Sequence, residues 1–441
     1  MATLSATGIP TADADHRGDL PPLGKDPSFL GMTATQFFGA FNDNLFKQMV
    51  LLFMVAGGSQ WAPKLAQATG FFLFAFSFVL FSGVAGWLSD RYSKRSIIVL
   101  CKIAEIAVMV LGTLAFAGNS AIALLIVLFM MGSQSAFFGP SKYGILPELL
   151  RDRDLPRANG WIQMTTFAAI ILGTAIAGET LTIARNSDVP IWQVNGICVL
   201  IAIVGTLTSL VIRRTPVAHP GLPFEPAALV MTRETRRMLL GDRPLLNALL
   251  VNTVFWSLGA LVLLTVNDFG ILQMGYNEAQ TARLLVFINV GIAGGCVLAG
   301  RLSKGRVRFG LVTAGAIGIA ASQIATALVP ALGFSELATE WMLRFTLLAT
   351  GIATGVFAVP LAVFIQARPP AGQKGRMIAA MNLFNWIGIV MAPIIYLAAA
   401  WTFGALGLPV SLTFILVAIL ISPIAVLYRP KDESLDELET V

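Results

Sequence analysis

Apolar residues run through this chain in long blocks, not at the alternating positions of a half-buried strand. Six blocks lie near 30–56, 66–89, 97–117, 120–142, 158–184 and 191–213, and six more near 246–272, 279–301, 307–332, 337–366, 374–402 and 406–428. Charges or Pro/Gly clusters bound each block. Each is long enough to carry a helix of ~20 residues through a hydrocarbon layer about 30 Å thick. The pattern predicts an all-α integral membrane protein with twelve transmembrane helices. It also predicts a polar N-terminal tail over 1–28, a six-helix bundle over 29–213, a linker over 214–245, a second bundle over 246–428 and an acidic C-terminal tail over 429–441. The stretch Thr232-Arg233-Glu234-Thr235-Arg236-Arg237 gives the linker a short surface helix.

Composition supports the placement in lipid. Hydrophobic residues make up 56% of the 441 residues and charged residues 12%, against roughly 45–50% and about 25% in soluble domains. The net charge of +6 would suggest nucleic acid on a soluble protein, but topology accounts for it here. With both termini cytoplasmic, 25 of the 30 Lys and Arg residues fall on the inner side, as the positive-inside rule requires. Cys101, Cys198 and Cys296 stand far apart inside apolar runs, with neither disulfide nor metal-ligand spacing. His16 and His219 fall in the tail and the linker, so no metal site and no cofactor is expected. Residues 1–28 lack a basic start followed by an apolar stretch, and no cleaved signal peptide is expected.

The two halves echo each other. Gly86-Trp87-Leu88-Ser89-Asp90-Arg91-Tyr92-Ser93-Lys94-Arg95 follows the second span, and Gly300-Arg301-Leu302-Ser303-Lys304-Gly305-Arg306-Val307-Arg308 follows the eighth, 214 residues later. Pro140 and Pro360 are 220 apart, and Arg157 and Arg376 are 219 apart. Three landmarks at nearly one offset predict a duplicated unit: two pseudo-symmetric six-helix bundles about an axis normal to the membrane, with the substrate between them at mid-depth.

The Gly-x-Leu-Ser-Asp-Arg-x-x-x-Arg loop with its degenerate second copy resembles the signature of the major facilitator superfamily. Within it, three stretches are similar to the bacterial lysophospholipid transporter family: Gln36-Phe37-Phe38-Gly39-Ala40-Phe41-Asn42-Asp43-Asn44, Phe138-Gly139-Pro140-Ser141-Lys142-Tyr143-Gly144-Ile145-Leu146-Pro147-Glu148-Leu149 and Arg157-Ala158-Asn159-Gly160. The resemblance implies the major facilitator fold and inward movement of lysophosphatidylethanolamine and lysophosphatidylglycerol for reacylation. Related domains are fused to acyltransferase and acyl-carrier-protein synthetase domains. Here the expected partners are the lysophospholipid, membrane lipids and a separate cytoplasmic enzyme of that kind, around a monomer without nucleic acid.

Asp43 stands first among the candidate residues. It lies ~13 residues into the first span, about 20 Å deep at 1.5 Å per residue and close to the midplane. A carboxylate there costs roughly 2.5–3.5 kcal/mol on insertion scales, so it should face a cavity or a partner. It reads as a countercharge for an ammonium or hydroxyl headgroup, with Asn42 and Asn44 adding hydrogen bonds, or as a structural pair with Lys47 one turn on. Lys142 and Tyr143 end the fourth span beside Gly139 and Pro140, which could kink the helix. Lys142 reads as a phosphate ligand or a snorkelling lysine. Gln163 and Asn382 occupy matching places in the fifth and eleventh spans and read as neutral headgroup donors.

Asp90, Arg91, Lys94 and Arg95 resemble the superfamily's inner gate, where the carboxylate caps the start of the eleventh helix. Lys304 replaces that carboxylate in the second copy. Arg157 opens the fifth span beside them. Glu105 reads as a partner of Lys102 near the inner surface, and Asp268 with Arg283 as an outer gate or as two snorkelling side chains. Any proton coupling would have to use Asp43, Glu105, Glu179 or Asp268. The leading functional expectation is a lysophospholipid flippase of the bacterial inner membrane, not an enzyme. A proton-coupled exporter of lipophilic drugs and a non-transporting anchor for acyltransferases are the alternatives.

Overall fold

The structure, a computed structural model, describes residues 21–57, 62–151, 154–215, 233–303, 306–369 and 374–434. Among the described residues, twelve long helices carry the chain. The first six are α1 (Pro27–Val55), α2 (Pro63–Arg91), α3 (Lys94–Ala117), α4 (Ala121–Gly144), α5 (Leu155–Asn186) and α6 (Ile191–Leu210). The second six are α7 (Arg243–Asp268), α8 (Glu278–Ser303), α9 (Phe309–Leu328), α10 (Glu336–Ala367), α11 (Lys374–Ala405) and α12 (Leu412–Leu427). A short helix, Leu146–Leu149, joins α4 to α5, and the amphipathic helix Arg233–Gly241 precedes α7.

Local chemistry sets where these helices begin. Asp26 accepts a hydrogen bond from the Ser28 amide at 2.9 Å with Pro27 in the first turn, and Ser120, Asp242 and Ser335 cap α4, α7 and α10 in the same way. Ten helices among the described residues are long and apolar enough to cross a membrane. The two others depart for visible reasons. In α1, Asn42, Asp43, Asn44, Lys47 and Gln48 interrupt the apolar run. In α12, the helix has only 16 residues.

Packing follows a two-fold pattern. In the first half α2 lies on α4, α1 on α5 and α3 on α6; adding six to each label gives the second half, with α8 on α10, α7 on α11 and α9 on α12. Across the halves, α5 packs on α8 and α11 on α2, two contacts that the same operation interchanges. Pro140 of α4 and Pro360 of α10 lie in corresponding helices. Both helices continue through their prolines, α4 as far as Gly144, so Lys142 and Tyr143 stay helical.

The tightest seam joins α8 to α10. A side chain on Gly295 would meet the Ile352 carbonyl oxygen at 2.1 Å, and one on Gly351 would meet that of Ile288 at 2.1 Å. Gly291 packs against the same seam, while Gly294 faces open space. Small residues here let two backbones touch, as membrane helices without a hydrophobic driving force require.

The end of the bundle bearing residues 22 and 434 is called the terminal end, and the opposite one the far end. At the terminal end each half ties up its own side chains. Arg213 donates to Asp26 at 2.9 Å and to the Leu149 carbonyl, and Lys94 pairs with Glu148. In the second half Arg368 reaches Asp242 at 2.6 Å and Glu433 at 2.9 Å, and Arg306–Val307 pairs antiparallel with Glu433–Ser434. At the far end the halves are fastened to each other: the second half's apolar core takes in Leu51, Ala68, Phe71 and Ala75 of α1 and α2.

Candidate functional site

The polar residues of α1 fall on two faces. Asn42 and Phe46 face α3, and the Asn42 amide donates 2.8 Å to Glu105. One residue on, Asp43 turns towards α4 and accepts from the Ser135 hydroxyl at 2.6 Å. Asp43 is half-buried, whereas Asn42 is sealed off. Asn42 therefore does not share the face of Asp43; it belongs to a buried charge cluster.

That cluster lies inside the first half. Lys102 and Glu105 form an ion pair with side chains each 1% exposed. Gln134 donates 3.2 Å to Glu105, and its carbonyl oxygen lies 3.0 Å from the Ser135 hydroxyl. Gly39 and Gly205 leave the room the lysine occupies: a Cβ on either would come within about 3 Å of its ammonium nitrogen. The expected Lys102–Glu105 pair exists, but inside the bundle and not at a surface. A continuous path of polar atoms thus runs from Lys102 through Glu105, Gln134 and Ser135 to Asp43.

The structural alternative for Asp43, a pair with Lys47, does not form. Lys47 donates to the Asn44 side chain at 3.1 Å and stands over the Phe74 ring at 5.0 Å, while Asn44 donates back to the Ala40 carbonyl at 2.8 Å. Asn44 and Lys47 are engaged with each other, and among the described residues the hydrogen bond to Asp43 comes from Ser135.

A second polar group lies two turns along the same faces. Gln36 is seven residues before Asp43, and Lys142 seven after Ser135, each about 10 Å away along its helix. Lys142 donates to Thr166 at 3.3 Å, Thr166 to Gln36 at 2.8 Å, and Gln36 to Thr165 at 2.5 Å. Lys142 also lies 5.0 Å from the ring of Tyr143, which is exposed. The side chain of Gln163 lies outside the described residues; Asn382 on α11 is exposed. At mid-depth Trp386 of α11 stacks on Phe78 of α2, with centroids 3.8 Å apart and planes at 8°, and meets Phe74 edge-on.

The far end closes on a buried network that sequence reasoning missed except for Asp268. Gln48 of α1 donates 2.9 Å to Asn267 of α7, and Asn267 donates 2.8 Å to Gln67 of α2. Gln67 donates to Asp268 at 3.2 Å, and Tyr396 of α11 donates to the other oxygen of Asp268. All five side chains are buried. The outer gate expected between Asp268 and Arg283 is not made: Arg283 reaches instead across the halves to Glu179, at 2.6 and 2.9 Å. Each residue bridges the halves with its own partners, because Asp268 faces α2 and α11 while Arg283 faces α5.

The expected inner gate resolves differently. Arg95 donates to the carbonyls of Ile212 and Leu210 at 2.6 and 3.3 Å, satisfying the last turn of α6, and Lys94 belongs to the Glu148 pair. Both fasten the first half internally. Arg91 lies over the Trp87 ring at 5.0 Å; Asp90 and Arg157 are exposed. Residues 370–373 before α11 and Lys304 lie outside the described residues, and with them the cap proposed for Asp90.

A family model described as Major Facilitator Superfamily matches residues 32–393. The lysophospholipid transporters LplT of Yersinia pestis (strain Pestoides F) and of Yersinia pseudotuberculosis serotype I (strain IP32953) are each 27% identical over 378 residues, covering 84% of this chain and 85% of theirs. Among solved structures, the POT family transporter PepTSo superposes with a TM-score of 0.69 at 14% identity over 91% of this chain and 96% of that one. The human organic anion transporter MFSD10 gives 0.63 at 15% identity over 91% and 99%. Two helix bundles related by one packing operation, and a family match across most of the length, identify the chain as a multi-pass membrane transporter of the Major Facilitator Superfamily.

Proposed function

We propose that this transporter moves lysophospholipids, lysophosphatidylethanolamine and lysophosphatidylglycerol among them, from the outer to the inner leaflet of the bacterial inner membrane, where they are reacylated. One observation carries the reading: the half-buried Asp43 and the ammonium of Lys142 project from α1 and α4 onto one polar strip, two turns apart, and Phe74, under the Lys47 ammonium, leads from α1 to the Phe78–Trp386 stack. An acid and a base at that spacing suit a headgroup with a phosphate and an amine or hydroxyl. The phosphate goes to Lys142 and Tyr143, the amine or hydroxyl to Asp43. The aromatic platform takes the start of the single acyl chain. The named activity of the Yersinia relatives supports this assignment.

The excess of basic residues near the terminal end supports a cytoplasmic placement of that end. The far-end ties then close the outer side, and alternating access consists of breaking them while the terminal ends of the halves approach. Asp90, Arg91 and the exposed Arg157 lie at that end, where the halves would meet. A separate cytoplasmic acyltransferase consumes the delivered lipid, and a monomer suffices.

Purified protein in liposomes tests this. Labelled lysophosphatidylethanolamine offered in the outer leaflet should reach the inner leaflet faster than in protein-free liposomes, and Asp43→Asn should remove most of that gain. Equal rates with and without folded protein would sink the proposal, and a drug exported in its place under a proton gradient would favour the exporter reading.

A further inference from the structure

A second, smaller site lies at the far end, away from Asp43. A cavity of about 360 Å³ opens between α1, the α5–α6 turn and the start of α8, within the range of about 300–1,000 Å³ usual for small-ligand sites. Phe53, Leu181 and Ile191 give it an apolar wall, and Arg185, Asp188 and Glu278 give it charge. Glu278 is the contribution of the second half. Its side chain is 3% exposed, and one carboxylate oxygen is 2.5 Å from Arg185, whose side chain is 61% exposed. The other oxygen, also buried, accepts no hydrogen bond among the described residues. The Gln280 amide in the first turn of α8 donates instead to the Asn277 side chain at 2.8 Å.

A buried carboxylate oxygen without a donor costs roughly 1–3 kcal/mol or more, so the arrangement is incomplete as it stands. Two carboxylates against one guanidinium leave the cavity one negative charge, which selects a cation. The exposed guanidinium at the rim selects an anion beside it. The apolar wall selects a chain.

We propose that this cavity is an outer entry site for the phosphoethanolamine headgroup of a one-chain lipid. The ammonium donates to the free oxygen of Glu278, the phosphate faces Arg185, and the acyl chain leaves along Phe53 and Ile191. This rests on the lysophospholipid reading above and adds headgroup choice to it. Lysophosphatidylglycerol has no cation for Glu278, so the site favours the ethanolamine lipid. Because Glu278 also ties the two halves together through Arg185, an arriving ammonium competes for that tie.

The test is the ratio of lysophosphatidylethanolamine to lysophosphatidylglycerol moved by the full chain in liposomes of phosphatidylcholine and phosphatidylglycerol. Glu278→Gln keeps the shape and removes the charge, and should lower that ratio about ten-fold, the factor that 1.4 kcal/mol represents. Glu179→Gln cuts the neighbouring tie to Arg283 without touching the cavity and should change both lipids by the same factor. Equal loss of both lipids in Glu278→Gln overturns the proposal, since the residue would then be a tie alone. Loss of the wild-type preference on adding diacyl phosphatidylethanolamine also overturns it. If Glu278→Gln does not fold, Asp188→Asn at the rim should move the ratio the same way by a smaller factor, and an unchanged ratio overturns the site. Folded wild type inert towards both lipids overturns the transport reading instead. The cavity is then judged on binding, where retention of lysophosphatidylethanolamine about ten-fold weaker on Glu278→Gln supports it and equal retention rejects it.

Discussion

The Ser135 hydroxyl on α4 stands 2.6 Å from the Asp43 carboxylate on α1, and it is the hydrogen bond that carboxylate takes in place of one from Lys47. A neutral donor orients the acid without cancelling its charge. Asp43→Asn should therefore lower lysophospholipid transport by ten-fold or more, since a hydrogen bond to a charged group contributes about 1.5–3 kcal/mol. Ser135→Ala leaves the charge but frees its rotamer, so a smaller loss is expected. Initial rates of leaflet transfer at matched protein density measure both. A larger loss in Ser135→Ala than in Asp43→Asn would remove Asp43 from the centre of the site.

Lys102 and Glu105 should show the opposite balance, with large effects on stability. Removing one member of a buried ion pair strands the other and costs roughly 3–5 kcal/mol, whereas replacing both by apolar groups of similar volume is often neutral. Lys102→Met and Glu105→Leu should each lower the melting temperature in detergent by several degrees, and the double variant should regain most of the loss. Asn42 and Gln134 also donate to Glu105, so recovery in the double variant is expected to be incomplete. A double variant as unstable as the sum of the singles would mean the pair contributes independently of its partners.

These residues show what the sequence could and could not disclose. Block lengths, charge asymmetry and the near-constant offset between the halves follow from the bilayer and from duplication, and they made the fold legible. Asp43 was legible because a carboxylate at mid-span needs a reason. Side-chain direction was not: Asn42 and Asp43 are adjacent, yet a 100° step around the helix sends one to Glu105 and the other to Ser135. The Gln48–Asn267–Gln67 network was hidden for another reason. Its members lie about 200 residues apart and are neutral amides, which carry no penalty large enough to stand out along a chain. Asp268 and Arg283 were both visible, but their partners were misassigned because similar depth does not fix which neighbouring helix a side chain faces.

The α8–α10 seam predicts intolerance to volume at two positions. A methyl on Gly295 or Gly351 would sit 2.1 Å from a carbonyl oxygen of the facing helix, and backbone is the least able to give way. Gly295→Ala should cost about 1–3 kcal/mol, the usual range for overpacking, and Gly295→Leu should abolish folded yield. Gly294→Ala, one residue away in open space, should behave as wild type. Size-exclusion profiles of the three variants check the order, and an equal effect of Gly294→Ala and Gly295→Ala would show that the seam is not what limits packing.

The far-end network predicts a shift in conformation. Gln67 donates to Asp268 and accepts from Asn267, so one α2 side chain connects two residues of α7. These bonds require the halves to be closed at this end, and separation of α2 from α7 breaks them. Gln67→Ala strands two buried groups in the closed state alone, at roughly 1–3 kcal/mol each. A ligand or mutation shifts a two-state equilibrium only by its differential effect on the two states, and here that difference favours opening by about ten-fold or more. Spin labels at Ser187 and Leu406, exposed at the far ends of α5 and α11, should show a longer-distance population in Gln67→Ala that is minor in the wild type. Tyr396→Phe removes one donor to Asp268 while leaving Gln67 in place, so its shift should be smaller and in the same direction. An unchanged distance distribution in both variants would mean that the apolar contacts of Leu51, Phe71 and Ala75 hold the far end shut without the network.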